Sequence, residues 1–141
     1  MDSSLKREIM LANYNNPKNR GLIEDGTYIK VNTNNESCID NLDISYKIEH
    51  GIITDIRFDG EACAISTSAT SIMIKMMLGK TLEEAIAIAN NYHNMLDGKE
   101  YDKELLGELC VYDEIYKQVN RKRCAYLPFE SLNKVVQEIK K

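Results

Sequence analysis

The sequence predicts an α+β fold, a three-stranded antiparallel sheet with helices packed mainly on one face. Three observations lead there. Leu42, Ile44, Tyr46 and Ile48 alternate with polar residues, and Ile52, Thr54, Ile56 and Phe58 do the same, which is the two-residue period of half-buried strands. After Cys63 the apolar spacing turns helical, with Ile65, Ala69, Ile72, Met73, Met76 and Met77 at three- and four-residue steps. Strands that follow one another directly, with helices before and after, belong to the α+β class.

The elements follow in order. Leu5 to Tyr14 reads as a short helix with Ile9, Met10 and Tyr14 on one side, ending before Asn16-Pro17 because a residue that precedes proline avoids the α region. Gly26 to Asn32 is the first predicted strand. The hairpin that follows is expected to close through three residues, Glu49-His50-Gly51. That register pairs Ile48 with Ile52, Tyr46 with Thr54, Ile44 with Ile56 and Leu42 with Phe58, whereas a two-residue turn would set Ile44 against Arg57. Gly79 suits the C′ position of the helix after Cys63, and Thr81-Leu-Glu-Glu84 is a capping box that opens another helix to about Asn91. Asp102 is placed as the cap of a helix to about Val119, and Leu127 to Ile139 as an amphipathic last helix. Nothing repeats and no linker divides residues 1–141, so a single domain is expected.

Composition narrows the function classes. At 43% hydrophobic content a chain of 141 residues can bury a real core. A net charge of −4 argues against general nucleic-acid binding, which draws its affinity from a basic surface. No apolar run approaches the ~20 residues of a membrane helix, and the first residues lack the apolar stretch of a secretory signal. A cytoplasmic protein, with no membrane partner, is the expectation. Four cysteines in a reducing compartment are then buried thiols, metal ligands or reactive thiolates rather than disulfides.

Three of them fall at element boundaries. Cys38, with Asp40, precedes the second strand, Cys63 follows the third, and Cys124 is placed before the last helix. If Leu42 faces Phe58, the chain before the second strand and after the third emerges at one sheet edge, which brings Cys38 and Cys63 together. Three thiolates and a carboxylate suit tetrahedral Zn²⁺. Arg121, Lys122 and Arg123 stand where they could offset the resulting negative charge. Dispersed single cysteines are nonetheless a weaker zinc pattern than a Cys-x₂-Cys pair, and buried free thiols are common, so spacing alone leaves both readings open. Cys110 reads as a core thiol, His50 as a hairpin-loop residue, His93 as a residue just after a helix, and Ser66-Thr67-Ser68 as a small-residue helix start.

Four segments also carry a family likeness. YNNPKNRG (Tyr14–Gly21), CID (Cys38–Asp40), FDGEACAIS (Phe58–Ser66) and RKRCAYL (Arg121–Leu127) stand in the order of the motifs of the IscU/NifU N-terminal family. The chain resembles the SufU type of that family. Arg123 replaces the histidine that IscU-like scaffolds place before the third cysteine, and NMLDGKEYD (Asn94–Asp102) is similar to part of a SufU-type insert. The resemblance implies a SufE/NifU-like fold and zinc held by Cys38, Asp40, Cys63 and Cys124. It implies a sulfurtransferase that accepts persulfide sulfur on Cys38 from a SufS-type cysteine desulfurase, with Arg121 near the metal. A histidine of the partner is implied to displace Cys38 on docking. The alternative within the family is a scaffold on which an iron–sulfur cluster is assembled. A monomer is expected. The chain departs from the family at Ile39 and Ala62, where glycines are usual, at Asn13, where a histidine is usual, and at Pro128, placed in the last helix's first turn. A β-branched Ile39 would be strained if its φ were positive.

Overall fold

A computed structural model of the chain describes residues 1–140. Helix α1 (Ser3–Asn15) begins at Asp2, whose carboxylate accepts the Leu5 amide, and is followed by strands β1 (Ile29–Asn34), β2 (Asn41–Glu49) and β3 (Ile52–Glu61). Helices α2 (Ala64–Met77), α3 (Leu82–Leu96), α4 (Lys103–Leu106) and α5 (Val119–Ile139) complete the chain, with two 3₁₀ segments, Gly107–Tyr112 and Ile115–Lys117, before α5. The sheet is antiparallel throughout in the order β1-β2-β3. Its inward side chains, Leu42, Ile44, Tyr46, Ile53, Ile56 and Phe58, are fully buried with the apolar stripes of α2, α3 and α5 in one core. The α+β expectation holds.

Local signals placed several boundaries. The Thr81 capping box is formed in both directions, and Gly79 has the positive φ of a C′ residue after α2. Asp102 caps as expected, yet α4 is a single turn. Gly107, at φ 50° and ψ −123°, leaves helical geometry, and the chain continues in 3₁₀ turns instead of one helix to Val119. The first strand begins at Ile29 and runs to Asn34, and α3 runs on to Leu96, so His93 lies within a helix.

The hairpin corrects the expected register. His50 and Gly51 form a two-residue turn with φ of 55° and 76°, the left-handed pair whose twist matches that of antiparallel strands. Pairing starts with Glu49 opposite Ile52 and Ile48 opposite Ile53, then skips Thr54, so that Lys47 faces Asp55, Tyr46 faces Ile56 and Ile44 faces Phe58. The extra residue is a bulge, which changes the parity of β3. It lets Ile53 turn inward beside Ile56 and Phe58 while Ile52 stays 39% exposed. Unbroken pairing through a two-residue turn would mix the faces, and the bulge keeps them apart.

The last helix corrects a second expectation. It starts at Val119, eight residues before the predicted Leu127, so Cys124 and Pro128 both lie inside it. Proline there has no amide to give the carbonyl four residues back, that of Cys124. The buried carbonyls along this stretch are met by other elements: Ser66 donates to Cys124 O at 2.9 Å, Tyr92 to Ala125 O at 2.9 Å and Thr33 to Leu127 O at 3.1 Å. The proline is therefore accommodated by tertiary donors rather than by a place in the first turn.

Candidate metal centre

The site forms where the β2–β3 edge meets α2 and α5. Register brings the two sheet-borne segments together, since Asn41 pairs with Glu61 at the end of the ladder. Gly60 permits the close crossing. Its φ is 127°, and a Cβ there would lie 2.2 Å from the Asn41 carbonyl oxygen. The end of β3 is also braced from outside. Gly21 N–H donates to Phe58 O at 2.7 Å, the Arg20 guanidinium to Gly60 O at 2.6 Å, and Arg20 lies over the Phe58 ring. The YNNPKNRG segment thus fixes the strand that delivers Cys63. Asn13 belongs to the same bracing: it accepts from Ser71, whose oxygen accepts the Lys18 amide.

Four ligand atoms, from Cys38, Asp40, Cys63 and Cys124, lie within 4.8 Å of one another. Cys38 is exposed, Cys63 half-buried, and Asp40 and Cys124 buried. Asp40 Oδ1 accepts the Cys63 amide at 2.7 Å, and Oδ2 accepts the Ser66 hydroxyl at 2.7 Å while standing 3.8 Å from Cys63 Sγ. Cys63 is the N-cap of α2, its sulfur accepting the Ser66 amide at 3.5 Å, so the positive end of that helix faces the cluster. Ile39 is 66% exposed and has no positive φ, and neither does Ala62, so replacing the family glycines leaves the loop unstrained and Asp40 in place.

Electrostatics favour a cation here. Burial opposes ionisation of Asp40, but hydrogen bonds from the Cys63 amide, Ser66, Cys124 and the Cys63 thiol hold its carboxyl below the ordinary value. Burial, then hydrogen bonding and negative charge from Asp40 and Cys63, push the Cys124 thiol far up. Three thiolates and a carboxylate in one small volume repel one another unless a divalent cation sits among them. Ligand atoms around tetrahedral zinc lie about 3.4–3.8 Å apart, so this group needs only small side-chain shifts to close on an ion.

Other candidates fall elsewhere. Neither histidine joins the group: His50 is in the hairpin turn and His93 Nδ1 is 3.1 Å from Asp97. Lys122 is paired with Asp97 as well, so within the basic triplet its charge is already matched. Arg121 is exposed and lines a cleft with Tyr112, Ile65 and Ala64, the residue after Cys63, and Arg123 lines a second cleft with Asn35, Ser37 and Tyr126. Cys110 is half-buried, its thiol raised by burial, and points to Lys103 O. Asn94–Asp102 ends α3 and turns back, clamped where the Asn91 amide both donates to Asp102 O and accepts its N–H. Two residues at the site were not read as functional. Ser66 looked like a helix start, though its position three after Cys63 is where a capping sulfur bonds; Asn35 stood out in no motif.

A family model described as the NifU-like N-terminal domain matches residues 5–125. The chain belongs to the NifU-like N-terminal domain family. Within this family it is 34% identical over 134 residues to the zinc-dependent sulfurtransferase SufU of Bacillus subtilis, covering 94% of this chain and 90% of that protein. It is 28% identical over 132 residues to the iron–sulfur cluster assembly scaffold protein IscU of Thermotoga maritima, covering 94% and 92%. A crystal structure from Fervidobacterium islandicum AW-1, described as an iron–sulfur cluster assembly scaffold protein for the SUF system, has a TM-score of 0.84 at 31% identity and covers 89% of this chain and 92% of its own. Among the described residues no helix is long and apolar enough to cross a membrane.

Proposed function

We propose that this NifU-like domain is a zinc-dependent sulfurtransferase of iron–sulfur cluster assembly, a cytoplasmic monomer whose Cys38 accepts persulfide sulfur from a cysteine desulfurase. The observation that carries this reading is the graded exposure of one candidate ligand set: Cys38 is exposed while Asp40 and Cys124 are buried. An incoming persulfide can reach Cys38 with the other three ligands still anchored. The likeness to the Bacillus subtilis sulfurtransferase supports the same choice.

Bound zinc supplies thiolates that stay ionised at neutral pH. The rest falls to the chain. Asp40, Cys63 and Cys124 would hold the ion, leaving Cys38 as the sulfur that can be freed. The Cys38 thiolate then attacks the outer sulfur of the partner's persulfide. A new S–S bond forms at Cys38, the old one breaks, and the partner cysteine leaves as a thiolate, so electrons balance without an added oxidant. Arg121, at the cleft beside Ala64 and Ile65, supplies positive charge near the approaching anionic persulfide.

The experiment is cysteine turnover by a cysteine desulfurase with and without this protein. The wild-type chain is expected to stimulate turnover and Cys38→Ala to lose the stimulation. Stimulation that survives in Cys38→Ala removes the assignment. A scaffold role, suggested by the Thermotoga maritima likeness, predicts instead a brown protein that keeps iron through desalting.

A further inference from the structure

Three sulfurs meet at this site, and their hydrogen bonds differ. Cys63 Sγ accepts the Ser66 amide, and Cys124 Sγ accepts the Asn35 side-chain amide, Nδ2 to Sγ 3.6 Å. Among the described residues Cys38 Sγ has no hydrogen-bond partner. The donor to Cys124 comes from a residue 2% exposed, 89 positions away in sequence.

Every polar group of Asn35 serves the same site. Its amide N–H donates to Asp40 O at 3.0 Å and its carbonyl accepts Cys38 N–H at 3.0 Å, closing the ligand loop on itself. Its Oδ1 accepts Ser37 N–H at 3.1 Å, an Asx turn that shapes the chain just before Cys38. The remaining Nδ2 is left for Cys124. One planar amide therefore joins the loop of the exposed thiol to a buried sulfur on α5. Only asparagine fits both ends: serine offers the turn acceptor but is too short to reach the sulfur, and aspartate puts a charge against it.

On the reading that Cys38 accepts sulfur, we propose that Asn35 is a positioning residue that holds Cys124 as a retained ligand and thereby leaves Cys38 as the thiolate that departs and reacts. An N–H donor withdraws electron density from a thiolate, which lowers its nucleophilicity and aims its lone pair. Cys124 and Cys63 each receive such a donor, and among the described residues Cys38 receives none.

The test loads the full chain with Co²⁺ as a coloured stand-in for zinc and compares wild type with Asn35→Ser and Asn35→Asp. Both variants keep an acceptor for the Ser37 amide, so the turn persists, and both lose the donor to Cys124. Losing it raises the sulfur lone-pair energy. The thiolate-to-cobalt charge-transfer band is expected to move to longer wavelength, and Co²⁺ to pass to excess EDTA about tenfold faster. A turn-shaping role alone would leave the band where it is. An unmoved band in both folded variants overturns the proposal while leaving the sulfurtransferase reading intact; a wild-type chain with no thiolate-to-cobalt band ends both.

Discussion

The hydroxyl of Ser66 lies 2.9 Å from the carbonyl oxygen of Cys124, the oxygen that Pro128 leaves without its helical donor. The same hydroxyl is 2.7 Å from Asp40 Oδ2, so one side chain serves two residues of the candidate metal centre from different parts of the chain. The hydroxyl has a single proton for these two acceptors.

That geometry makes Ser66 and Pro128 a coupled pair. Ser66→Ala is expected to cost about 1–3 kcal/mol in urea unfolding, because a buried carbonyl loses its donor. Pro128→Ala returns an N–H to that carbonyl, so the double variant should recover part of the loss. Metal affinity should not recover, because Asp40 still lacks its hydroxyl partner, and a drop of about 10–100-fold is expected by competition with a chromophoric chelator. Identical stability losses for Ser66→Ala in both backgrounds would show the two residues to be independent.

The bulge predicts unequal neighbours. Ile53 is fully buried and Ile52 is 39% exposed. Ile53→Ala should therefore cost about 2–5 kcal/mol. Ile52→Ala should cost under about 1 kcal/mol. Chemical denaturation of the two variants distinguishes this register from an unbulged three-residue hairpin, which would reverse their ranking.

Gly60 is expected to tolerate no side chain. Its positive φ alone would cost alanine about 1–3 kcal/mol. The clash with Asn41 O adds to this, because the obstacle is backbone. Gly60→Ala should lower the thermal midpoint and weaken metal binding together, since Asn41 and Glu61 at this crossing lead to Cys38 and Cys63. Thermal unfolding and zinc titration of one preparation check both.

Metal occupancy should show in stability. Zinc at about 1,000 times its Kd adds about 4 kcal/mol to unfolding, so chelation should lower the thermal midpoint and readdition restore it. Cys124→Ser should abolish the response, Cys38→Ser should reduce it while three ligands remain, and Cys110→Ser should leave it unchanged. A full zinc response in Cys124→Ser would exclude that residue from the centre.

Much of this protein is written in signals that act within one helical turn or one strand. The Thr81–Glu84 box, Gly79 after α2 and the alternation of Leu42 to Ile48 could each be read correctly because the groups involved are neighbours along the chain. The convergence of Cys38, Asp40, Cys63 and Cys124 was legible as well, since the motifs around them and the antiparallel edge between them both point to one place. What escaped that reading depends on partners far away. Thr54 bulges because burial of Ile53, Ile56 and Phe58 in the one core outweighs an unbroken ladder, and no local propensity announces it. Pro128 sits inside α5 because donors from β1, α2 and α3 satisfy the carbonyls around it. Asn35 and Ser66 acquire their roles only when the fold carries them across 89 and 58 positions to Cys124. Short-range geometry is encoded in adjacent residues, whereas a hydrogen bond between distant ones exists only after the core has closed.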